Sequence, residues 1–539
     1  MSESSSSADK KAENQDSSSR SLILHAAGLV GAAMLLSRLV GLFREMVTRS
    51  SLGVLTVEAT AYEIAKAVPE TIFLIIAGGA IGSAFIPTFA AYFTRDDEAG
   101  AWHLFSAVIN MITVAISLVA ILAMIFAPQI VTFFYSENIA AQPQLLNQTV
   151  QLMRVMLISP IIFGASGVIM GALNARQHFL LPALAPTVYN LGIIAGALLL
   201  GPFFGTAMGL AIGTVIGAAG HLLIQIPGLV QKHARYAPIF TLRDPGVLKV
   251  LWLMAPRVLG QSFSELNKLL IVYLTGSMTL GTLPAFTAAF RLIILPQGVL
   301  GQAVGIAAFP TLSTLAAENK HDEMRRIISG SLRLLLFLGM PVTILLMMLR
   351  IPIITVLFER GLFGAESTEL VASALLLMSL GLVALLLLEV IARSFYSLSD
   401  TLTPVLAGGV QVILMVILTL WLRDTIFAQR GWLPLGALAL GFSLSNYGEV
   451  MVLLWLLRRK LGGLDGRVLW NSFWRILLSS LLMAVAMWLL LSRIENATVW
   501  VKLMAGGIVG TVVYLLSSWL LRVREAQQLL QYGRQRLKL

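Results

Sequence analysis

Apolar stretches long enough to cross a bilayer follow one another along nearly the whole chain, and this constrains the fold more than any motif does. A membrane-spanning helix needs about 20 apolar residues. About fourteen stretches meet that length, near 21–46, 58–93, 103–127, 146–172, 180–200, 204–229, 247–275, 281–315, 328–357, 367–397, 402–422, 433–457, 470–491 and 499–521. Of 539 residues, 57% are hydrophobic and only 12% charged, where a soluble domain is about a quarter charged. Hydrocarbon offers no water to an open sheet edge, so such a chain satisfies its backbone within helices. The expected fold is all-α and integral to the membrane. The second, eighth and tenth stretches exceed one bilayer thickness and are expected to tilt, bend at Pro69 or Pro296, or project into water.

Composition removes several function classes. The net charge of +11 is spread over short loops and the C-terminal tail, a pattern suited to membrane orientation and anionic headgroups rather than to nucleic acid. There is no cysteine, hence no disulfide or thiolate metal site, and the six histidines lack zinc-type spacing. No GxxxxGK[ST] loop, nucleophile elbow or HExxH sequence occurs, so an enzyme is not expected and no cofactor or metal is called for. Residues 1–20 are Ser-rich and read as a disordered cytoplasmic tail. Basic residues favour one set of loops (Lys232, Arg235, Lys320, Arg325, Arg326, Arg458–Lys460, Arg467) over the other (Arg49, Arg360, Arg423, Arg430, Arg493), which places both termini in the cytoplasm.

The chain carries an internal repeat. Ala80–Thr88 (AIGSAFIPT) returns as Ala303–Thr311 (AVGIAAFPT) at an offset of 223, and Thr132–Tyr135 matches Thr355–Phe358 at the same offset. Asn174–Pro182 matches Tyr396–Pro404 in spacing at an offset of 222. An interval of six helices preserves orientation, so the expectation is two six-helix bundles, 21–229 and 247–459, related by a parallel repeat with a cavity between them. Two further helices at 470–521 and a basic cytoplasmic tail at 522–539 complete the organisation.

Charges inside the spans point to chemistry, because an arginine at a membrane-helix centre costs roughly 2.5–3.5 kcal/mol. Glu63–Lys66, Glu265–Lys268 and Glu389–Arg393 are three or four residues apart and share a helix face, so each discounts its own insertion cost. Arg38 and Arg291 have no acidic residue at that spacing. A wet cavity or an anionic ligand compensates such arginines, and the planar guanidinium suits a phosphate. Arg44, next to Glu45, lies at a helix end.

The run Ser37–Glu45 (SRLVGLFRE) resembles the first-helix signature of the MviN/MurJ lipid II flippases, within the multidrug/oligosaccharidyl-lipid/polysaccharide exporter superfamily. Ala84–Pro87, Leu173-Asn174 with Phe179 and Pro182, Pro296–Gly301, Phe309–Ser313, His321–Glu323, Phe358–Gly361 and Phe395–Ser397 with Asp400 continue the resemblance over nearly all of 21–525. It implies fourteen helices and transfer of lipid-linked peptidoglycan precursor (lipid II) from the inner to the outer leaflet of the bacterial cytoplasmic membrane. It further implies alternating access through a cationic cavity, driven by the membrane potential or an ion gradient. By resemblance, Arg38, Arg44 and Arg291 meet the pyrophosphate, Glu45 partners Arg44, and Lys66 and Asn174 complete the expected substrate-binding set. Helices 13 and 14 form a groove for the polyprenyl tail. The chain departs from the family at Thr60, often acidic there, at Phe73, often arginine, and at Gly78, often glutamate. Lys66 stands ready to replace the missing positive charge. The same arginines would serve a flippase for another polyprenyl-pyrophosphate glycan, and a membrane scaffold for cell-wall synthases is a third reading. A drug exporter fits less well, since the expected cavity has the wrong sign for cationic drugs.

Overall fold

The computed structural model describes residues 28, 30–76 and 81–528, apart from the side chains of 76, 83, 136–141, 259, 260, 263 and 264. The tail expected at 1–20, the end of the basic tail beyond 528, and Gly78 lie outside the described residues. Among the described residues every regular element is helical and no strand occurs. Among those residues ten helices are long and apolar enough to cross a membrane, and the bent pair Ala365–Ser379 and Leu382–Ser397 adds an eleventh span. The remaining expected stretches, 21–46, 58–93 and 247–275, include residues or side chains that are not described. The chain is thus a multi-pass, all-helical membrane protein.

Two compact units emerge. One combines the helix at 30–52 with Ala61–Leu269, and the other combines Gly53–Thr60 with the chain from Leu270 onward. In the first, Leu180–Ala195 and the π-helical turn Gly196–Leu200 pack on Thr206–Leu223 through bare glycine surfaces. A Cβ at Gly192 would stand 2.3 Å from Gly217 Cα, and one at Gly213 would stand 2.7 Å from the Gly192 carbonyl oxygen. Apolar side chains gain little by leaving lipid for a helix interface, so close backbone approach supplies the attraction. This contact fixes the helix that carries Tyr189 and Asn190.

The second unit solves a different problem. The tenth stretch breaks by 45° between Ser379 and Leu382, freeing backbone carbonyls inside the membrane. Ser443 Oγ donates to the Leu377 carbonyl at 2.7 Å, and Tyr447 Oη donates to the Leu380 carbonyl at 2.9 Å. Both donors come from Pro434–Leu461. A broken helix survives in lipid when neighbours take up its backbone groups in this way. The eighth stretch instead opens into a π-helical turn, Gln297–Gly301, directly after Pro296.

The repeat is visible in backbone detail within each unit. Asp96 and Asn319 both turn left-handed (φ 57° and 55°), as do Gln177 and Ser399 (φ 57° and 59°), at the offsets of the sequence repeat. The hydrogen bonds repeat too. Asp97 N–H donates to the Tyr92 carbonyl as Lys320 N–H does to Leu315, and His178 N–H donates to Leu173 as Asp400 N–H does to Phe395. Each pair is the six-residue closure that ends a helix at a left-handed residue.

Asp400, at the last of these turns, accepts a backbone hydrogen bond from Thr403 and is ion-paired with Lys460. Partial burial pushes its carboxyl up, but hydrogen bonds from Lys460 and Thr403 outweigh this and hold the pKa at about 2. A depressed carboxylate stabilises the fold above its unfolded pKa, and the benefit is lost as pH falls through the folded value. Asp400→Asn should therefore lower the melting temperature in detergent by a constant amount at neutral pH. The gap from the unsubstituted protein should close between about pH 4 and about pH 2; a gap that persists at the acid end contradicts the ionic role. For the glycine contact, Gly213→Ala should cost about 1–3 kcal/mol. Gly409→Ala, with no atom within 4 Å of the added carbon, should leave thermal unfolding unchanged or slightly raised.

Candidate functional site

Polar side chains of the first unit converge where the helix at 30–52 meets Val57–Ile76. Helical spacing sets the pattern: Glu45 and Arg49 are one turn apart on the first helix, and Tyr62, Lys66 and Glu70 form a stripe four residues apart on the second. Arg49 sits between the two helices. Its guanidinium reaches Glu45 at 2.7 Å and Glu63 at 2.7 Å, with its side chain only 2% exposed. Lys66 Nζ holds the other oxygen of Glu63 at 2.7 Å and lies 5.5 Å from the centre of the Tyr62 ring.

Arg49 is therefore not a loop residue, as the charge distribution along the sequence suggested. It is buried within a helix, and its partners are what admit it there. Two carboxylates around one guanidinium leave an excess of negative charge, which Lys66 offsets on one side and Arg44 on the other. Arg44 stands 3.5 Å from Glu45 and donates a hydrogen bond of 3.0 Å to Asn190 Oδ1. Gly41, one turn earlier in the SRLVGLFRE run, leaves room for that amide: a Cβ there would lie 3.6 Å from Asn190 Nδ2.

Arg44, Glu45, Tyr62 and Lys66 border a crevice shared with Glu70, Tyr189 and Thr214. Its cavity is small, about 10 Å³, room for roughly one water. Formal charges balance once Glu70 is counted, so the crevice is not a bare positive patch. Its asymmetry lies in engagement. Glu45 and Glu63 are committed to Arg49, whereas Arg44, with five N–H donors, spends one on Asn190 and leans on Glu45 at longer range.

The other expected residues lie elsewhere. Arg38 is exposed on the helix at 30–52, about 9 Å along its axis from Arg44. Arg291 is exposed on Thr282–Pro296 in the second unit and makes no hydrogen bond or ion pair among the described residues. Asn174 is in the last turn of Ile158–Ala175 and does not line the crevice; the asparagine on Arg44 is Asn190. The expected pairs Glu265–Lys268 and Glu389–Arg393 form, and Gln297 adds a 2.9 Å hydrogen bond to Glu389. At the departures, Phe73 packs on Phe163 with ring centres 4.7 Å apart. Thr60 Oγ1 accepts from Gly281 N–H at 3.2 Å. Arg49 was read as a loop charge and Asn190 went unread, although the Glu45–Arg49 spacing and a lone asparagine in an apolar stretch were signals for them.

Arg49→Met should strand Glu45 and Glu63 in a buried site and cost about 3–5 kcal/mol. Adding Glu63→Gln should restore part of the folded yield, measured by fluorescence-detected gel filtration. An unchanged melting temperature in Arg49→Met contradicts the frame.

Comparison with known proteins places this geometry in context. The family model described as lipid II flippase MurJ matches residues 50–508. The chain is 30% identical over 412 residues to a probable lipid II flippase MurJ of Rhizobium tropici, covering 75% of this chain and 76% of that one. It is 26% identical over 403 residues to the Vibrio cholerae counterpart, covering 74% and 77%. Among solved structures, lipid II flippase MurJ in an inward closed conformation superposes with a TM-score of 0.74 at 24% identity, covering 91% of this chain and 98% of that one. An inward-facing multidrug resistance MATE transporter of the MOP superfamily gives 0.67 at 16% identity, covering 82% and 99%.

Proposed function

The chain belongs to the lipid II flippase MurJ family, and we propose that it carries lipid II from the inner to the outer leaflet of the bacterial cytoplasmic membrane. It is a transporter and performs no covalent chemistry on its substrate. The observation that carries the reading at residue level is Arg44, held in place by Asn190 and Glu45 with donors left over. A pyrophosphate needs such donors in a sheltered place, and a guanidinium offers two parallel ones to a phosphate.

In this reading Arg44 binds the pyrophosphate, Lys66 adds a point charge from the next helix, and Glu45 orients Arg44 while answering Arg49. Arg38 and Arg291, exposed on apolar helices of their respective units, are further phosphate contacts. Asn174 is proposed as a contact to the sugar-bearing part. The crevice has room for roughly one water, so loading the headgroup requires it to open. Alternating exposure of these cations to the two sides of the membrane supplies that opening. The membrane potential or an ion gradient drives the cycle, with both termini in the cytoplasm.

Complementation tests the reading. In a bacterial strain depleted of its own flippase, the wild-type chain should restore growth, and Arg44→Ala should not, at equal protein levels. Arg44→Lys should lose more than a retained charge alone implies, because the planar fork is gone. Full rescue by Arg44→Ala and Arg291→Ala together contradicts the anion reading.

A further inference from the structure

A cavity of the second unit lies away from all of these residues. It is a groove of about 450 Å³ between Leu402–Leu422 and Pro434–Leu461, within the usual range for a small-molecule site, about 300–1,000 Å³. Its walls are apolar, with Leu406, Val410 and Val452 well exposed beside it. Three polar groups line it, and two are already engaged. Thr403 Oγ1 donates to Asp400 at 2.7 Å, and Gln411 Nε2 donates to Ser445 at 2.8 Å.

The third is Glu449. It makes no hydrogen bond or ion pair among the described residues, and Tyr396 is within electrostatic range without bonding to it. The facing helix makes room for it: a Cβ on Gly408 would lie 3.7 Å from Glu449 Oε1. An unpaired carboxylate in apolar surroundings is costly. Every other acidic residue discussed above inside a span, Glu70 excepted, has a partner.

We propose that this groove binds a lipophilic amine, with the ammonium on Glu449 and the hydrocarbon along Leu406, Val410 and Val452. Charge selects the head. The carboxyl enters the site as the neutral acid and the ligand arrives through lipid as the neutral base. The proton passes from the Glu449 oxygen to the amine nitrogen, so an ion pair forms with no net charge brought into the membrane. Depth selects the source. Glu449 is eleven residues from Lys460, about 16 Å along the helix, in a bilayer core about 30 Å thick. The headgroup of a bilayer aminolipid stays at the surface and does not reach it. A quaternary ammonium cannot accept the proton and should bind poorly.

The test uses the full chain in phosphatidylcholine nanodiscs with dodecylamine carrying a diazirine, and mapping of the photo-adducts by mass spectrometry. Adducts should concentrate on Leu406, Val410 and Val452. Unlabelled dodecylamine should compete, and dodecanol and dodecyltrimethylammonium should not. Glu449→Gln, close in shape, should lower the adduct yield by about tenfold, the loss of about one favourable polar contact, with an unchanged melting temperature. Competition by dodecanol equal to that of dodecylamine overturns the proposal, leaving only an apolar slot. So does labelling unchanged in Glu449→Gln. Suppression on adding phosphatidylethanolamine to the nanodisc assigns the groove to an aminolipid and also overturns it.

Discussion

A bilayer supplies no water to an unpaired charge, and the guanidinium of Arg49, locked between Glu45 and Glu63, is where this chain answers that constraint most fully. Removing Arg49 leaves two buried carboxylates short of their shared counter-charge, a penalty of several kcal/mol. The frame also does something positional. It joins the helix at 30–52 to Val57–Ile76 and draws Glu45 and Glu63 inward. Arg44 and Lys66 are thereby left lining the crevice, where Arg44 keeps donors that its bond to Asn190 does not use.

The same constraint explains features with no charge at all. The break before Leu382 is tolerated because Ser443 and Tyr447 take the freed carbonyls. The glycine faces of Leu180–Ala195 and Thr206–Leu223 let backbones touch where apolar side chains gain little by leaving lipid. One of those helices presents Asn190 to Arg44, so the glycine contact also sets the position of the proposed anion site. Phe73 takes this further: its ring sits on Phe163, which lies 5.0 Å from the Tyr189 ring at the crevice. An aromatic contact therefore occupies the position where the family resemblance implies an arginine.

Much of this was legible in sequence. Stretch length gave the helical membrane fold, and the 222–223 offset of the sequence repeat also separates the left-handed residues Gln177 and Ser399. The SRLVGLFRE run pointed at Arg44 and Glu45. What escaped was long-range pairing. Arg49 read as a loop charge because Glu63 lies fourteen residues away on another helix, and Asn190 was hidden because it is 146 residues from Arg44. Local spacing reports i,i+3 and i,i+4 neighbours; it does not report which helices touch. The groove at Glu449 was obscure for the same reason, since Gly408 and Gln411 belong to the facing helix.

The central claim is that Arg44, freed by the Arg49 frame, carries the pyrophosphate of lipid II. The most direct measurement is transport of purified lipid II across proteoliposomes, with and without a membrane potential, by wild type and by Arg44→Ala of equal thermal stability. The account predicts transport by wild type and its loss in Arg44→Ala while the melting temperature holds. Transport by Arg44→Ala at the wild-type rate would contradict it.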